Sequence, residues 1–151
     1  MKASIGIVLA SLAAVVVIYF YCPCSRLPGG YLLGDEAASP VSDWTFANEV
    51  PLCQVEVQTG LPHSVNLNCM ATEGRLYLSC ASCDGKRWSS AALENPSARL
   101  RVGDKVYPVT LTRVTESAEL DTAWLARATK TRGPTDAPRP EHWWSFSVTS
   151  R

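Results

Sequence analysis

The residues best suited to bind a charged ligand are Lys86 and Arg87, which adjoin Trp88. Lysine and arginine supply positive charge and N–H donors to a phosphate, and an indole offers a flat face on which an aromatic ring can stack. A basic pair beside a core tryptophan is equally typical of a solvated junction between a loop and a helix. The pair alone leaves both interpretations open.

Cys80 and Cys83 have the Cys-x-x-Cys spacing of half a zinc site or of a redox pair. His63 and His142 are not spaced as the missing half, and no thioredoxin-like pattern surrounds the motif, so we predict no metal site. The chain shows no Ser-His-Asp order, glycine-rich phosphate loop or carboxylate pair. Hydrolase and kinase functions therefore lack support, and no catalytic side chain is assigned.

Six cysteines are many for a chain of 151 residues. Cys53 and Cys69 approach each other if the first hairpin turns at Gly60-Leu61, which makes a disulfide conceivable. Free thiols acting as small core residues explain both positions as well. An exported domain could oxidise some of the six, which also include Cys22 and Cys24.

The bulk composition predicts one globular domain, since 46% of the residues are apolar and 151 residues are too few for two ordinary domains. Acidic and basic residues balance at 14 each. No global field then attracts nucleic acid, so we expect no nucleic-acid partner.

Residues 4–21 contain no charge and no helix breaker at their centre, and they match the roughly 20 apolar residues that cross a bilayer. They predict a single uncleaved transmembrane helix within an N-terminal anchor of residues 1–25. A cleaved signal peptide or a lipoprotein would need small residues where the bulky Tyr19, Phe20 and Tyr21 stand. Lys2 favours an inside N-terminus, which places the domain on the outer, periplasmic face.

Residues 26–43 are rich in Gly, Pro, Ala and Ser and are interpreted as a linker, and residues 44–151 as the domain. The first strand alternates Cys53, Val55 and Val57 with polar residues. A tight turn at Glu73-Gly74 aligns the apolar faces of the next two strands. The pairs in this register are Thr72 with Arg75, Cys69 with Leu78, Leu67 with Cys80, and Asn68 with Ser79.

The later segments predict a short helix capped by Ser89 or Ser90, a hairpin turning at Gly103-Asp104, and a second strand of that hairpin over residues 105–115. A longer helix over residues 117–130 and a last strand over residues 143–149 follow. The expected class is mainly β: a barrel of antiparallel strands with one short and one longer helix, preceded by the transmembrane helix.

The stretches 61–67 (LPHSVNL) of the second strand, 74–78 (GRLYL) of the third, 85–96 and 98–103 follow one another in the order of the predicted elements, and the strand 106–114 and the helix ending near Lys130 continue this order. Together they resemble the FMN-binding split-barrel superfamily, to which pyridoxamine-phosphate oxidases and deazaflavin-dependent nitroreductases belong. The resemblance covers roughly residues 50–149. It implies a split β-barrel, a bound FMN or deazaflavin, and a homodimer that completes the cofactor groove.

The resemblance also implies site residues. It places Ser79, Ser82, Lys86 and Arg87 at the cofactor phosphate and Asn66 and Asn68 beside the ring. Lys86 departs from the pattern, because it lies about two residues farther from Asn95-Pro96 than the family's usual basic residue. If Asn66, Asn68 and Ser79 are buried, a flavin, a dimer mate or water must satisfy them; otherwise this face is solvated.

Two functions follow from the resemblance. The first is a membrane-tethered, flavin- or deazaflavin-dependent oxidoreductase acting on a small molecule that the sequence does not specify. The second is a non-catalytic split barrel that serves as a binding or assembly module without a cofactor, because a fold does not fix a function.

Overall fold

The protein is built around a closed barrel of six antiparallel strands. The computed structural model describes the backbone of residues 2–21 and 28–151 and the side chains of residues 5–17 and 28–151. The strands are β1 (Asp35–Glu36), β2 (Cys53–Thr59), β3 (Leu61–Thr72), β4 (Arg75–Ala81), β5 (Ser97–Val102), β6 (Lys105–Arg113) and β7 (Trp143–Ser150). They lie in the order β1-β6-β5-β2-β3-β4-β7, and β7 also pairs with β6. The mainly β barrel expected from the sequence is confirmed.

The helices of the described chain are α1 (Lys2–Tyr21), a 3-10 helix (Thr45–Asn48), α2 (Arg87–Glu94) and α3 (Ser117–Thr131). The short helix α2 begins at Arg87, so the predicted serine cap is wrong. Ser89 lies inside the helix, where its hydroxyl donates to the carbonyl oxygens of Cys83 and Lys86. A serine hydroxyl that bonds back to carbonyl oxygens of the preceding turn is compatible with the helix interior, and Lys86 occupies the N-cap position instead.

The β3–β4 hairpin turns where the sequence predicts. Glu73 and Gly74 have φ values of 52° and 74°, the left-handed values that such a two-residue turn needs. The observed pairs include Thr72 with Arg75, Cys69 with Leu78, and Asn68 with Ser79. Because side chains alternate across each strand, this register turns both apolar faces to the barrel interior.

The barrel interior is packed with alternate apolar side chains of β2 to β7, among them Val55, Leu78, Leu100 and Phe146, all with 0% exposure. Helix α2 packs against β2, β3 and β6. Its Trp88 ring lies 5.2 Å from the ring of Phe146, measured between centroids. Burial of this helix face fixes the start of α2 on the barrel.

Two disulfides lie in this core. Cys53–Cys69 joins β2 to β3, and Cys80–Cys83 closes the loop after β4. All four cysteines are buried. The structure thus selects disulfides where the sequence left thiols and disulfides open.

Helix α3 covers the outer face of β3, β4 and β7. Met70, Tyr77 and Trp143 from these strands pack with Ala123 of α3 in a second apolar cluster. The Tyr77 hydroxyl donates to a carboxylate oxygen of Glu119 at 3.0 Å. Helix α3 therefore shields the part of the outer sheet surface formed by Met70, Tyr77 and Trp143 from solvent.

The segment 28–43, interpreted as a linker from the sequence, contacts the barrel. Gly29 and Ser64 exchange two backbone hydrogen bonds of 2.8 and 2.9 Å, and Leu32 is 2% exposed. Strand β1 pairs in parallel with the start of β6. The sequence predicts no strand here, because two residues are too few to show an alternating pattern.

The first helix, α1, follows the predicted helical segment. Among the described residues, no helix is long and apolar enough to cross a membrane. The predicted transmembrane span of residues 4–21 is therefore not confirmed. Cys22 and Cys24 lie outside the described residues.

Candidate functional site

A strip of polar side chains crosses β3 and β4 on the outside of the barrel. Asn66 and Asn68 alternate with interior residues of β3, and Ser79 lies directly opposite Asn68. Both asparagines are partly buried, whereas Ser79 is 1% exposed. The Ser79 hydroxyl oxygen has no hydrogen-bond partner within residues 28–151. The three polar residues are thus neighbours on adjacent strands, and Ser79 is more deeply buried than the two asparagines.

A groove of about 410 Å³ adjoins this strip on the side of β2. Asn66, Gln54 and Arg101 contribute its polar lining; Val50, Pro51, Leu52 and Gly103 complete it. Asn66 lies opposite Gln54, and Gln54 lies opposite Arg101, so the three residues form a row across β3, β2 and β5. The Arg101 guanidinium donates to the carbonyl oxygen of Leu33 at 3.0 Å.

Lys86 lies in the loop between β4 and α2, at the N-cap of α2. Its ammonium group donates to the carbonyl oxygen of Ala81 at 3.0 Å. Between them, Ser82 is exposed, has a φ of 52°, and donates its backbone N–H to the carbonyl oxygen of His142 at 3.3 Å. This loop therefore presents the hydroxyl-bearing Ser82 and the cationic Lys86 together at one barrel end.

Arg87 reaches the end of β2. Its guanidinium donates two hydrogen bonds, of 2.7 and 3.1 Å, to the hydroxyl oxygen of Thr59. Thr59 precedes Gly60, whose φ of 83° permits the turn into β3. His63 lies just beyond this turn; burial lowers its pKa, and the positive charge of Arg87 lowers it further. Thr59 and His63 are site residues that the sequence analysis did not find.

The two basic residues extend to strands on either side of β3. β2 and β4 run in the same direction, because each pairs antiparallel with β3 between them. The contacts of the two basic residues are also offset along β3: Thr59 lies opposite Leu61, whereas Ser79, two residues before Ala81, lies opposite Asn68. Neither basic residue forms an ion pair within residues 28–151. Both residues therefore remain available to pair with an anion.

The site residues fall into two connected groups. Ser82, Lys86 and Arg87 lie at the barrel end, and Asn66, Asn68 and Ser79 lie along the strands that lead away from it. Cys80 and Cys83 are joined in a disulfide within the connecting loop. Among the described residues, no group of three or more His, Cys, Asp or Glu side chains could hold a metal ion.

Comparison with known proteins finds likeness in structure only. No protein-family model matches the chain, and no curated protein matches it. A protein from Listeria innocua, provisionally named a pyridoxamine 5′-phosphate oxidase, aligns with a TM-score of 0.57 and 8% identity over 70% of this chain and 88% of its own.

Two further structures agree. A FAD-binding protein from Mesorhizobium loti aligns with a TM-score of 0.53 and 14% identity over 70% of this chain and 85% of its own. A protein from Bacteroides thetaiotaomicron, provisionally named a 5-nitroimidazole antibiotic resistance protein, aligns with a TM-score of 0.56 and 11% identity over 74% of this chain and 82% of its own.

The chain therefore has the split-barrel fold that pyridoxamine-phosphate-oxidase-like and nitroreductase-like proteins share. The fold part of the sequence resemblance is confirmed.

Proposed function

We propose that this chain is a flavin-binding split-barrel oxidoreductase. The observation that supports it best is the pair Lys86 and Arg87, two cations without ion-pair partners within residues 28–151, at the barrel end beside a polar strip. One protein with this fold is named as FAD-binding. FMN is the cofactor we propose, with a deazaflavin as the alternative.

The residues of the site suit such a ligand. Lys86, Arg87 and the exposed hydroxyl of Ser82 would hold the phosphate, because charge-assisted hydrogen bonds are the strongest that proteins offer to an anion. Asn66 and Asn68 would lie beside the ring. Ser79, which the resemblance places at the phosphate, is buried opposite Asn68 and away from Lys86 and Arg87 along the strand. A bound flavin supplies hydride transfer, so no side chain of this chain needs to act as an acid or base.

Ligand titration tests the proposal. The full-length protein is titrated with FMN, FAD and a deazaflavin, and binding is followed by fluorescence quenching. The Lys86→Ala/Arg87→Ala double variant should bind at least about 100-fold more weakly, since each lost charge-assisted bond contributes about 1.5 kcal/mol or more. Lys105→Ala/Arg151→Ala removes the same charges from exposed positions elsewhere and should bind like the wild type.

Thermal unfolding of both double variants shows whether the barrel is intact. A folded Lys86→Ala/Arg87→Ala variant that binds flavin as tightly as the wild type would show that the phosphate site is elsewhere.

The alternative is a binding or assembly module without a cofactor. It is favoured by the hydrogen bonds that Lys86 and Arg87 already make to Ala81 and Thr59, which satisfy part of their donors without a ligand. A wild-type protein that binds none of the three cofactors supports the module. We also propose a homodimer, which the resemblance implies as the means of completing the groove; light scattering of the purified protein tests it.

We place the domain in an oxidising compartment, as the outer-face location predicted from the sequence requires. Disulfides such as Cys53–Cys69 and Cys80–Cys83 persist mainly in such compartments. Acid quenching of intact cells, followed by alkylation of the denatured protein, tests this location: the four cysteines should react only after a reductant is added. The membrane span remains a prediction from the sequence.

A further inference from the structure

Lys130, near the end of α3, places its ammonium group against a disulfide. Its Nζ donates to the carbonyl oxygen of Ala47 at 2.8 Å and to that of Cys69, and it lies 3.6 Å from the sulfur of Cys69. An ammonium group has three N–H donors, and these are three acceptors. The position of Nζ is therefore fixed by the 3-10 helix and β3 together.

Within residues 28–151, no carboxylate forms an ion pair with Lys130. The side chain is partly buried, and this burial lowers the pKa of the ammonium group. Glu73 and Glu49 line the grooves on either side of Lys130, of about 540 and 350 Å³, but neither forms an ion pair with it. A negative charge on the Cys69 sulfur would be its closest counter-ion.

We propose that Cys53 and Cys69 form a redox-active pair that exchanges with small dithiols, and that Lys130 favours the reduced form by stabilising the Cys69 thiolate. The disulfide is neutral and gains little from a neighbouring cation. A thiolate 3.6 Å from an ammonium group gains a strong Coulombic attraction, more so where water is scarce. Lys130 thus acts on one redox state and not on the other.

The exchange balances with one dithiol. The sulfur–sulfur bond between Cys53 and Cys69 breaks, and the dithiol becomes a disulfide as it passes two electrons to the protein. Of its two protons, one forms the Cys53 thiol and the other goes to solvent, which leaves Cys69 as the thiolate. Both sulfurs belong to residues with 0% exposure, so exchange requires local opening near the 3-10 helix and the end of α3.

A redox titration of the full-length protein tests the proposal. The protein is equilibrated in mixtures of reduced and oxidised dithiothreitol, alkylated, and analysed peptide by peptide, so that the two cysteine pairs are scored separately. Lys130→Gln keeps an N–H donor and removes the charge. It should lower the dithiol-to-disulfide ratio of Cys53 and Cys69 about tenfold in the same mixture, which corresponds to about 30 mV.

Matched controls separate charge from packing. Lys130→Arg keeps the positive charge. Its dithiol-to-disulfide ratio for Cys53 and Cys69 should stay within about threefold of the wild-type ratio, compared with the tenfold decrease expected for Lys130→Gln. The ratio for Cys80 and Cys83 should be unchanged in Lys130→Gln. Equal Cys53–Cys69 ratios in the wild type and in folded Lys130→Gln would overturn the proposal.

A second readout needs no substitution. In the reduced wild type, Cys69 should ionise at lower pH than Cys53, because the ammonium group lies against the Cys69 sulfur. Thiolate absorbance near the ultraviolet edge, with each cysteine assigned by pH-dependent alkylation, measures the order. If Lys130 only packs against the 3-10 helix and β3, it does not determine which cysteine ionises first. Ionisation of Cys53 before Cys69 would reject the proposed role.

Discussion

A carboxylate oxygen of Glu56 lies 2.8 Å from Nη1 of Arg99, and the Glu56 side chain has no solvent exposure. The same oxygen accepts the backbone N–H of Leu32 at 2.7 Å. Arg99 also donates to the Leu32 carbonyl oxygen at 2.9 Å, and its guanidinium lies 4.1 Å from the centre of the Tyr31 ring. One buried ion pair thus fastens the segment before β1 onto β2 and β5.

Arg99→Met should destabilise the protein strongly. It keeps the apolar stem but leaves the Glu56 carboxylate buried and unpaired, a change that costs about 3–5 kcal/mol of the free energy of unfolding. Urea unfolding measures the loss. Arg101→Met, on the same strand, removes an exposed hydrogen bond and should cost about 1 kcal/mol. Equal decreases in the free energy of unfolding of the two variants would show that the ion pair of Glu56 and Arg99 contributes no more than the hydrogen bond of Arg101.

The stability should fall at alkaline pH because of Tyr77. Burial, and then the hydrogen bond to Glu119, raise the pKa of Tyr77 to about 12. An unfolded tyrosine ionises near pH 10, so between about 10 and 12 the folded chain holds the proton more tightly and the free energy of unfolding decreases with pH.

Urea unfolding at several alkaline pH values checks this decrease. Tyr77→Phe should flatten it, and Tyr31→Phe, which removes a 40% exposed phenol, controls for the loss of one tyrosine. An unchanged pH dependence in Tyr77→Phe would contradict the assignment.

His63 should report the charge of Arg87. Burial and then the Arg87 charge lower the pKa of His63 from 6.5. As the pH falls, His63 is protonated in the unfolded chain before it is protonated in the folded chain. The stability that His63 contributes is therefore present above pH 6.5 and is lost as the pH falls towards the folded pKa. Arg87→Gln should raise the His63 pKa and weaken the acid loss, as an NMR titration would show. Lys86→Gln, whose side chain contacts Ala81 instead, should leave that pKa in place.

Trp88 should hold the candidate site in position. Trp88→Ala removes a ring that packs on Phe146 and should cost about 3–5 kcal/mol. Leu93→Ala on the same helix removes a 50% exposed side chain and should cost less than about 1 kcal/mol. Thermal unfolding distinguishes them, and similar melting temperatures would mean that α2 contributes little to the barrel.

The sequence predicts the local parts of this structure well. The Glu73-Gly74 turn and the alternation on either side of it determine the β3–β4 register, because both signals lie within one hairpin. The order of strands and the two helices of the barrel domain follow from similar local patterns.

Long-range pairings escape such patterns. Glu56 looks like one more polar residue on an exposed strand face, and its partner Arg99 is 43 residues away. Lys130 looks like a favourable last-turn cation of α3, yet it bonds Cys69 at a separation of 61 residues. The contact of Arg87 with Thr59 depends in the same way on where α2 meets the barrel.

The double pairing of β7 also shapes how the chain reaches its native state. β7 follows every other strand along the chain, yet it bonds both β4 and β6. During synthesis, β4 and β6 have unpaired edges until β7 emerges from the ribosome. Unpaired strand edges are sites of aggregation between chains. The yield of folded protein from an overexpressing cell should therefore depend on how fast β7 is synthesised and pairs with β4 and β6.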